Sequence, residues 1–162
     1  MVRAFGLLQR VMQPYFADFG ITGTQWGVLR TLERAEKEGM DGLRLTELSK
    51  RMFIRPPSTT VVIDRMERAG LVVRGESPTD QRAKQVRLTN KGQQRLKSIL
   101  AVHADQIAAV MSGLTAQEQA DLQVLLGRLS EHLEARLSQT AARGGDSRVR
   151  DGANAKVREL VL

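Results

Sequence analysis

Residues 55–70 read RPPSTTVVIDRMERAG. Prolines are favoured in the first turn of a helix but not further along it, so Pro56 and Pro57 predict a helix that begins there and extends to Ala69. Gly70 is predicted to end it, because glycine adopts the left-handed conformation of a helix terminus without strain. One face of this helix has Thr59, Val62, Ile63 and Met66, and the other has Ser58, Thr60, Val61, Asp64, Arg65 and Arg68. The segment therefore predicts an amphipathic helix with short hydrogen-bonding side chains near its N-terminus.

Upstream of this helix the pattern predicts two more. Thr22 and Gln25 form a capping box, in which each side chain accepts a hydrogen bond from the other residue's backbone N–H, and the helix that follows extends to about Lys37. Thr46 is predicted to cap a short third helix that ends near Met52. The few residues left before the prolines indicate a turn between the third and fourth helices.

Downstream of the fourth helix two short strands are predicted. Residues 71–74 are mainly apolar, and residues 86–89 alternate apolar and polar side chains, as a half-buried strand does. Residues 75–84 are polar and indicate a charged loop that joins the strands into a hairpin. The order helix, turn, helix, hairpin is typical of a winged helix-turn-helix, so we expect a mostly α fold with a small β-hairpin wing.

Apolar periodicities predict further helices on both sides of this central region. The apolar positions are Phe5, Leu8, Met12, Tyr15 and Phe19 in the first helix, Leu96, Ile99, Leu100, His103, Ile107, Val110 and Met111 in the fifth, and Leu122, Leu126, Leu129, Leu133 and Leu137 in the sixth. Thr89 is predicted to cap the fifth helix, which ends at Gly113, and Thr115 and Glu118 form a second capping box. One small chain cannot cover all of these faces, which predicts a homodimer.

Positive charge is concentrated in the centre of the chain. The whole chain has 25 Lys and Arg against 18 Asp and Glu, a formal net charge of +7. From Arg44 to Lys97 there are 13 bases and 5 acids, so this third has a charge of +8 and the remainder −1. Such a basic segment suits a polyanion, whose counterions are released on binding. The alternative is a solvated basic face without a partner.

These patterns divide the chain into three regions. We expect residues 22–89 to form a winged helix-turn-helix DNA-binding domain and residues 1–21 with 90–140 to form a helical dimerisation region. The composition changes after Gln139, so residues 141–162 are predicted to be a linker and C-terminal tail. Residues 157–162 are apolar enough for one last helical turn.

Other function classes lack the residues that they need. The chain has no cysteine, which excludes disulfides, thiolate metal sites and cysteine nucleophiles, and its two histidines are far apart in sequence. Phosphate-binding glycine loops and serine-hydrolase motifs are also missing, so we expect neither an enzyme nor a cofactor. No apolar run approaches the roughly 20 residues of a membrane span, and no signal peptide is apparent, which predicts a cytoplasmic protein that does not interact with membranes.

Several segments resemble the MarR family of bacterial transcription regulators. They are residues 22–29, 45–49, 62–72 and 80–92. The most specific pattern is Asp-x-Arg at 80–82 followed by Leu-Thr-x-x-Gly at 88–92, and the similarity extends over about residues 5–139. The resemblance implies a dimer paired through the first, fifth and sixth helices. It also implies that each subunit places its fourth helix in a major groove of a pseudo-palindromic site in double-stranded DNA.

The candidate DNA contacts follow from this arrangement. They are Arg55, Pro57, Ser58, Thr59, Thr60, Val61 and Arg65 around the fourth helix, and Arg82 and Lys84 in the wing. Val61 suits an apolar contact such as a thymine methyl group. The resemblance makes Arg82 the wing arginine, which we expect in the minor groove, with Lys84 on the flanking phosphates. Two alternatives are a pairing of Arg82 with Asp80 alone, and a pairing of Asp80 with Arg65 that braces the wing.

The resemblance also implies a cleft for a small aromatic or phenolic effector. Its candidate residues are Tyr15, Phe16, Trp26 and His103. Each has a simpler interpretation as a packed core residue, and His103 in particular as one with a single hydrogen bond. The leading hypothesis is a sequence-specific DNA-binding repressor released by an effector. The alternatives are a repressor without an effector, and an architectural or protein-interaction winged-helix module that does not read sequence.

Overall fold

The computed structural model describes residues 2–77 and 80–144. Its elements are, in chain order, α1 (Val2–Asp18), α2 (Gly23–Lys37), β1 (Leu43–Arg44), α3 (Leu45–Met52), α4 (Pro56–Arg68), β2 (Val72–Ser77), β3 (Asp80–Leu88), α5 (Asn90–Met111) and α6 (Ala116–Gly144). The described chain is mostly helical with a small antiparallel sheet, which confirms the predicted fold class. Its contacts divide it after Met111 into two compact units, the second of which contains α6. No single helix in the described part is long and apolar enough to cross a membrane, although α5 and α6 taken together pass the same test of length and composition.

The wing is a three-stranded sheet, not the two-stranded hairpin that the sequence predicts. The strand order is β1–β3–β2, with Leu43 opposite Val86 and Val72 opposite Leu88. Strands β2 and β3 also extend through most of residues 75–84, the predicted loop. An antiparallel ladder is held by backbone hydrogen bonds, so polar side chains suffice where the strands are exposed. Strand β1 was missed because its two residues are too few to show a periodicity.

The two predicted capping boxes are confirmed. At α2, the N–H of Gln25 donates to Oγ1 of Thr22 (3.2 Å), and the N–H of Thr22 donates to Oε1 of Gln25 (2.8 Å). At α6, the N–H of Thr115 donates to Oε2 of Glu118 (2.7 Å), and the N–H of Glu118 donates to Oγ1 of Thr115 (3.3 Å). The hydrogen bonds from Thr115 favour the charged carboxylate and so lower the pKa of Glu118. Both boxes satisfy donors that a helix cannot satisfy itself.

The prediction that Thr46 caps α3 is wrong. The helix begins one residue earlier, at Leu45, and its capping residue is Arg44. The N–H of Arg44 donates to Oε2 of Glu47 at 2.8 Å, which places Glu47 at the third helical position and Thr46 inside the first turn. The glutamate thus identified the helix start better than the threonine did.

The Leu-Thr-x-x-Gly pattern has a structural basis at the start of α5. The hydroxyl of Thr89 donates to the carbonyl of Gly70 (2.6 Å) and accepts from the N–H of Gly92 (3.0 Å), so Thr89 caps the helix as predicted. A β-carbon at Gly92 would lie 2.1 Å from the carbonyl oxygen of Leu71. Only glycine therefore allows α5 to begin this close to the end of α4 and the base of the wing.

The core lies under α4 and decides which face of that helix is exposed. Its fully buried aliphatic side chains include Val28, Leu29, Leu32, Leu43, Leu48, Val72, Val86 and Ile99. Ile63 and Met66 of α4 are buried among them, with no exposed area. Because these two residues are buried, the opposite face of α4 points outward.

Many apolar side chains stay exposed in the single chain. They are Phe5, Leu7, Leu8 and Val11 on α1, Val102 and Ile107 on α5, and Leu122, Val124, Leu125, Leu126, Leu129, Leu133 and Leu137 on α6. Met12 and Ile99, which were expected to share such uncovered faces, are instead buried within the chain. Helix α6 continues to Gly144, beyond the predicted start of the linker, and the turn predicted at 157–162 lies outside the described residues.

Candidate nucleic-acid interface

The outward face of α4 combines hydroxyls and one apolar side chain near the helix N-terminus with a cation in the last turn. Ser58, Thr60, Val61 and Arg65 are all exposed. Val61 exposes 49% of its area although it is apolar. The hydroxyl of Thr60 donates to the carbonyl of Pro56 at 3.2 Å, which leaves its lone pairs free to accept. The face can therefore accept and donate hydrogen bonds and offer a small apolar contact.

The first turn of α4 presents few backbone donors. Pro56 and Pro57 have no N–H, and the N–H of Thr59 donates to the carbonyl of Arg55 at 3.0 Å. Within this fully described turn, Ser58 alone keeps an unpaired backbone N–H. Such a donor at the positive end of the helix dipole favours one anionic oxygen, such as a phosphate oxygen.

Thr59 does not belong to this face. Its side chain is completely buried, and its hydroxyl donates to the carbonyl of Arg55 at 3.2 Å. The prediction that Thr59 contacts DNA is therefore wrong. It lies on the helical face of Ile63 and Met66, and the same periodicity that predicts the core should have excluded it from the site.

Arg74 of β2 connects the wing to α4. Its guanidinium donates to Oδ1 of Asp64 at 2.5 Å and to Oε2 of Glu67, and its backbone N–H donates to Oε1 of Glu67 at 3.1 Å. Burial alone lowers the pKa of Arg74, but its hydrogen bonds to the two carboxylates outweigh that effect and raise it. This connection was missed, although Asp64 and Glu67 share one helical face just before a strand that contains an arginine. The wing is thus held against the exposed helix.

The wing contributes further positive charge. Lys84 is exposed and lies opposite Glu76 in the register of β2 and β3. Arg82 belongs to β3, but its side chain lies outside the described part of the structure, as does that of Asp80. The alternatives that pair Asp80 with Arg82 or with Arg65 lie outside it as well.

The four candidate effector residues lie together. The hydroxyl of Tyr15 is 3.3 Å from Nδ1 of His103, and the rings of Trp26 and His103 have centroids 4.8 Å apart. Phe16 joins this cluster, with its ring centroid 5.1 Å from that of Tyr15 and 5.9 Å from that of Trp26. The cluster brings α1, α2 and α5 into contact, and the sequence alone did not show that these residues meet.

A cavity of about 660 Å³ opens beside this cluster. Phe16, Trp26 and His103 line it, whereas Tyr15 does not line it and packs behind Phe16 and His103. The remaining lining residues are Gly6, Leu8, Gln9, Arg10, Met12, Gln13, Ala17, Ile21, Thr22, Gly23, Thr24 and Ile107. The cavity therefore has an aromatic wall and a polar rim with one cation, Arg10.

His103 is adapted to the neutral form. Burial lowers its pKa, and the positive charge of Arg30 lowers it further. The Arg30 guanidinium carbon lies 5.7 Å from the centroid of the Trp26 ring, which places that charge at the same cluster. A neutral imidazole can donate a hydrogen bond from one nitrogen and accept one at the other.

Known sequences match the chain over the winged region and beyond. Residues 19–83 match the sequence profile of the MarR family. The chain is 34% identical over 115 residues to the uncharacterized HTH-type transcriptional regulator YkoM of Bacillus subtilis (strain 168), covering 71% of each protein. It is 31% identical over 126 residues to the HTH-type transcriptional repressor YetL of the same organism, covering 78% of this chain and 74% of YetL.

A solved structure of the same fold contains DNA. It is a mutant of MarR from Escherichia coli complexed with operator DNA, 26% identical to this chain, with a TM-score of 0.69. The match covers 79% of this chain and 89% of that one. The likeness therefore includes helices outside the winged region, not the DNA-reading elements alone.

Proposed function

The chain belongs to the MarR family of transcriptional regulators, and we propose that it is a sequence-specific repressor that binds a pseudo-palindromic DNA site as a homodimer. Membership makes it a DNA-binding regulator and not an enzyme. The name of YetL as a repressor and the operator DNA in the MarR structure support the finer assignment. The single observation that carries the proposal is the outward face of α4.

This face suits the major groove. The groove admits an α-helix, and only short side chains allow the helix N-terminus to approach the base edges closely. Ser58 and Thr60 supply hydroxyls for base atoms, and Val61 supplies an apolar surface for a thymine methyl group. The free N–H of Ser58 suits a phosphate at the groove edge, and Arg55 and Arg65 supply charge on either side.

The connection through Arg74 supports a second contact by the wing. Because Arg74 ties β2 to Asp64 and Glu67, the wing and α4 approach DNA as one surface. In our proposal Arg82 enters the adjacent minor groove and Lys84 contacts the flanking phosphates. A narrow A·T-rich minor groove concentrates negative potential and so favours an inserted arginine.

We assign dimerisation to residues 1–21 and 90–140. The leucines of α6 form a long exposed stripe, and α1 and α5 add further exposed apolar side chains. Stable monomers seldom expose apolar side chains to this extent, so a second copy is the proposed cover. Two copies would then present two α4 helices to successive turns of one DNA site.

The cavity beside His103 is the proposed effector site. Phe16 and Trp26 offer flat apolar surfaces for an aromatic ring, and Arg10 offers a cation for an acidic or phenolic oxygen. Trp26 is the chain's single tryptophan, so its fluorescence reports directly on this site. A thermal-shift screen with small aromatic acids and phenols, followed by Trp26 quenching, separates this proposal from repression without an effector.

DNA binding is tested with the region upstream of the protein's own gene. That region is first searched for an inverted repeat of about two helical turns. A labelled duplex that contains the repeat is then titrated with protein in the presence of unlabelled nonspecific DNA, and fluorescence anisotropy is recorded. We expect preference for the repeat over a shuffled duplex by about three orders of magnitude or more. Equal affinity for both duplexes would contradict the proposal and favour an architectural module.

A further inference from the structure

The turn between α3 and α4 places a bulky side chain in a backbone conformation that suits glycine. Phe53, directly after α3, has φ 53° and ψ 33°, in the left-handed region. In the described chain it is the one residue other than glycine with a positive φ. The turns after α1, α2 and α4 use Gly20, Gly39 and Gly70, with φ of 67°, 81° and 71°. Phe53 therefore differs from the residues that end these three helices.

Burial does not offset this conformational cost. The Phe53 side chain is 71% exposed, more than any other large apolar side chain described. The turn is held by backbone bonds: the N–H of Phe53 donates to the carbonyl of Lys50 (3.2 Å), and that of Ile54 donates to the carbonyl of Ser49 (3.2 Å). The hydroxyl of Ser49 also donates to the carbonyl of Ile54 at 2.7 Å. These bonds need the left-handed backbone, but none of them needs an aromatic ring.

The surroundings of the ring are basic. Lys50 and Arg55 lie on either side of Phe53 in sequence, and both are exposed. Neither is paired with a carboxylate among the described residues. The turn also immediately precedes the α4 N-terminus, and both Phe53 and Ser58 are exposed. An exposed aromatic ring flanked in sequence by two exposed cations suits a polyanion that also has apolar surface.

We propose that the Phe53 ring packs against the deoxyribose–phosphate backbone at the edge of the groove that α4 enters. This inference rests on the proposed function. The turn that leads into a recognition helix lies near the groove edge, where sugars are closer than base edges. Deoxyribose offers C–H surface to an aromatic ring, while its phosphates meet Lys50 and Arg55. The contact is independent of base sequence and releases no counterion.

The test compares Phe53→Gly, Phe53→Ala and Phe53→Tyr with the wild type. Anisotropy titrations at several salt concentrations use the inverted-repeat duplex and a shuffled duplex, and thermal unfolding is recorded for each protein. We expect Phe53→Gly to raise Tm, because glycine removes the unfavourable φ, and to weaken binding to both duplexes about tenfold. The slope of log affinity against log salt should not change. Phe53→Tyr should bind as the wild type does.

Two further variants sharpen the outcome. Phe53→Ala retains a β-carbon in the left-handed region but loses the ring, so it should lose the same affinity without the gain in Tm. Arg55→Ala should lower the salt slope by about one, the effect of a lost phosphate contact. Unchanged affinity of Phe53→Gly and Phe53→Ala, or a loss confined to the inverted repeat, would overturn this inference alone. Absence of DNA binding by the wild type would overturn the proposed function and this inference with it.

Discussion

The outward face of α4 and the leucine stripe of α6 are both exposed in the single chain, but their chemistry is opposite. The α4 face has hydroxyls and guanidinium groups, which water solvates well. The α6 stripe has five leucines at intervals of three and four, from Leu122 to Leu137, each at least 36% exposed. Exposed polar groups cost little free energy, whereas exposed leucines lose the stabilisation that burial provides.

This difference indicates what each surface requires. The α4 face is stable without a partner and gains free energy only when a polyanion arrives, so its binding depends on salt. The α6 stripe gains free energy from any cover that excludes water, so its association depends little on salt. Substitutions on the α4 face should therefore change DNA binding, whereas substitutions in the α6 stripe should change association of the chains.

The largest effect is expected in the apolar region. Replacing Leu129 and Leu133 together by Glu places two charges in the proposed dimer interface, where each would be desolvated without a partner. We expect monomeric or unfolded protein by sedimentation and circular dichroism. The matched control is Glu131→Lys, on the opposite side of α6, which should remain dimeric. A stable, folded monomer of the unmodified chain would contradict the dimer itself.

The next effect concerns the wing. Arg82→Ala should weaken binding to the inverted repeat about a hundredfold, which is near the largest loss expected for removing one arginine that contacts DNA. Folding and dimerisation should not change. Lys84→Ala should weaken binding less, and each variant should lower the salt slope by about one. Affinity and slope that match the wild type in both variants would show that the wing does not touch DNA.

A smaller effect is expected on the α4 face. Thr60→Ala removes a hydroxyl that is expected to accept a hydrogen bond at a base edge, and should cost about 1–3 kcal/mol of preference for the repeat. Affinity for shuffled DNA should stay the same, because no phosphate contact is lost. The control is Thr46→Ala, an exposed threonine that does not cap its helix. If Thr60→Ala keeps the full preference for the inverted repeat, the proposed placement of the α4 face in the major groove is wrong.

The smallest effect is expected at the cavity, where His103 should make stability depend on pH. The pKa of His103 is lowered below its ordinary value of 6.5, so the unfolded chain binds this proton at a higher pH than the folded chain does. Stability should therefore fall as the pH decreases through 6.5 towards the folded-state pKa. As the pH is lowered from neutral to mildly acidic, the Tm of His103→Gln should decrease less than the Tm of the wild type. Parallel curves for the two proteins would contradict this assignment.

The sequence predicted the elements well and the contacts between them less well. Four helix starts were correct because Thr22, Pro56, Thr89 and Thr115 act within a few residues of themselves. The predicted start of α3 was wrong because Thr46 was chosen by residue type, whereas the bond from the N–H of Arg44 to Glu47 makes Arg44 the capping residue. Thr59 was assigned to the DNA surface although its helical face predicted burial, an error of interpretation and not of missing information.

What the sequence by itself determined was local: where helices begin, where Gly70 ends α4, and which face of α4 is apolar. These features depend on hydrogen bonds and periodicities that span a few residues. Only the tertiary structure decided that Tyr15 meets His103, that Arg74 joins Asp64 and Glu67, and that the Phe53 ring stays in water. Tyr15 and His103 are 88 residues apart. Local sequence patterns do not predict the distance between them, because such residues are brought together by the packing of the chain.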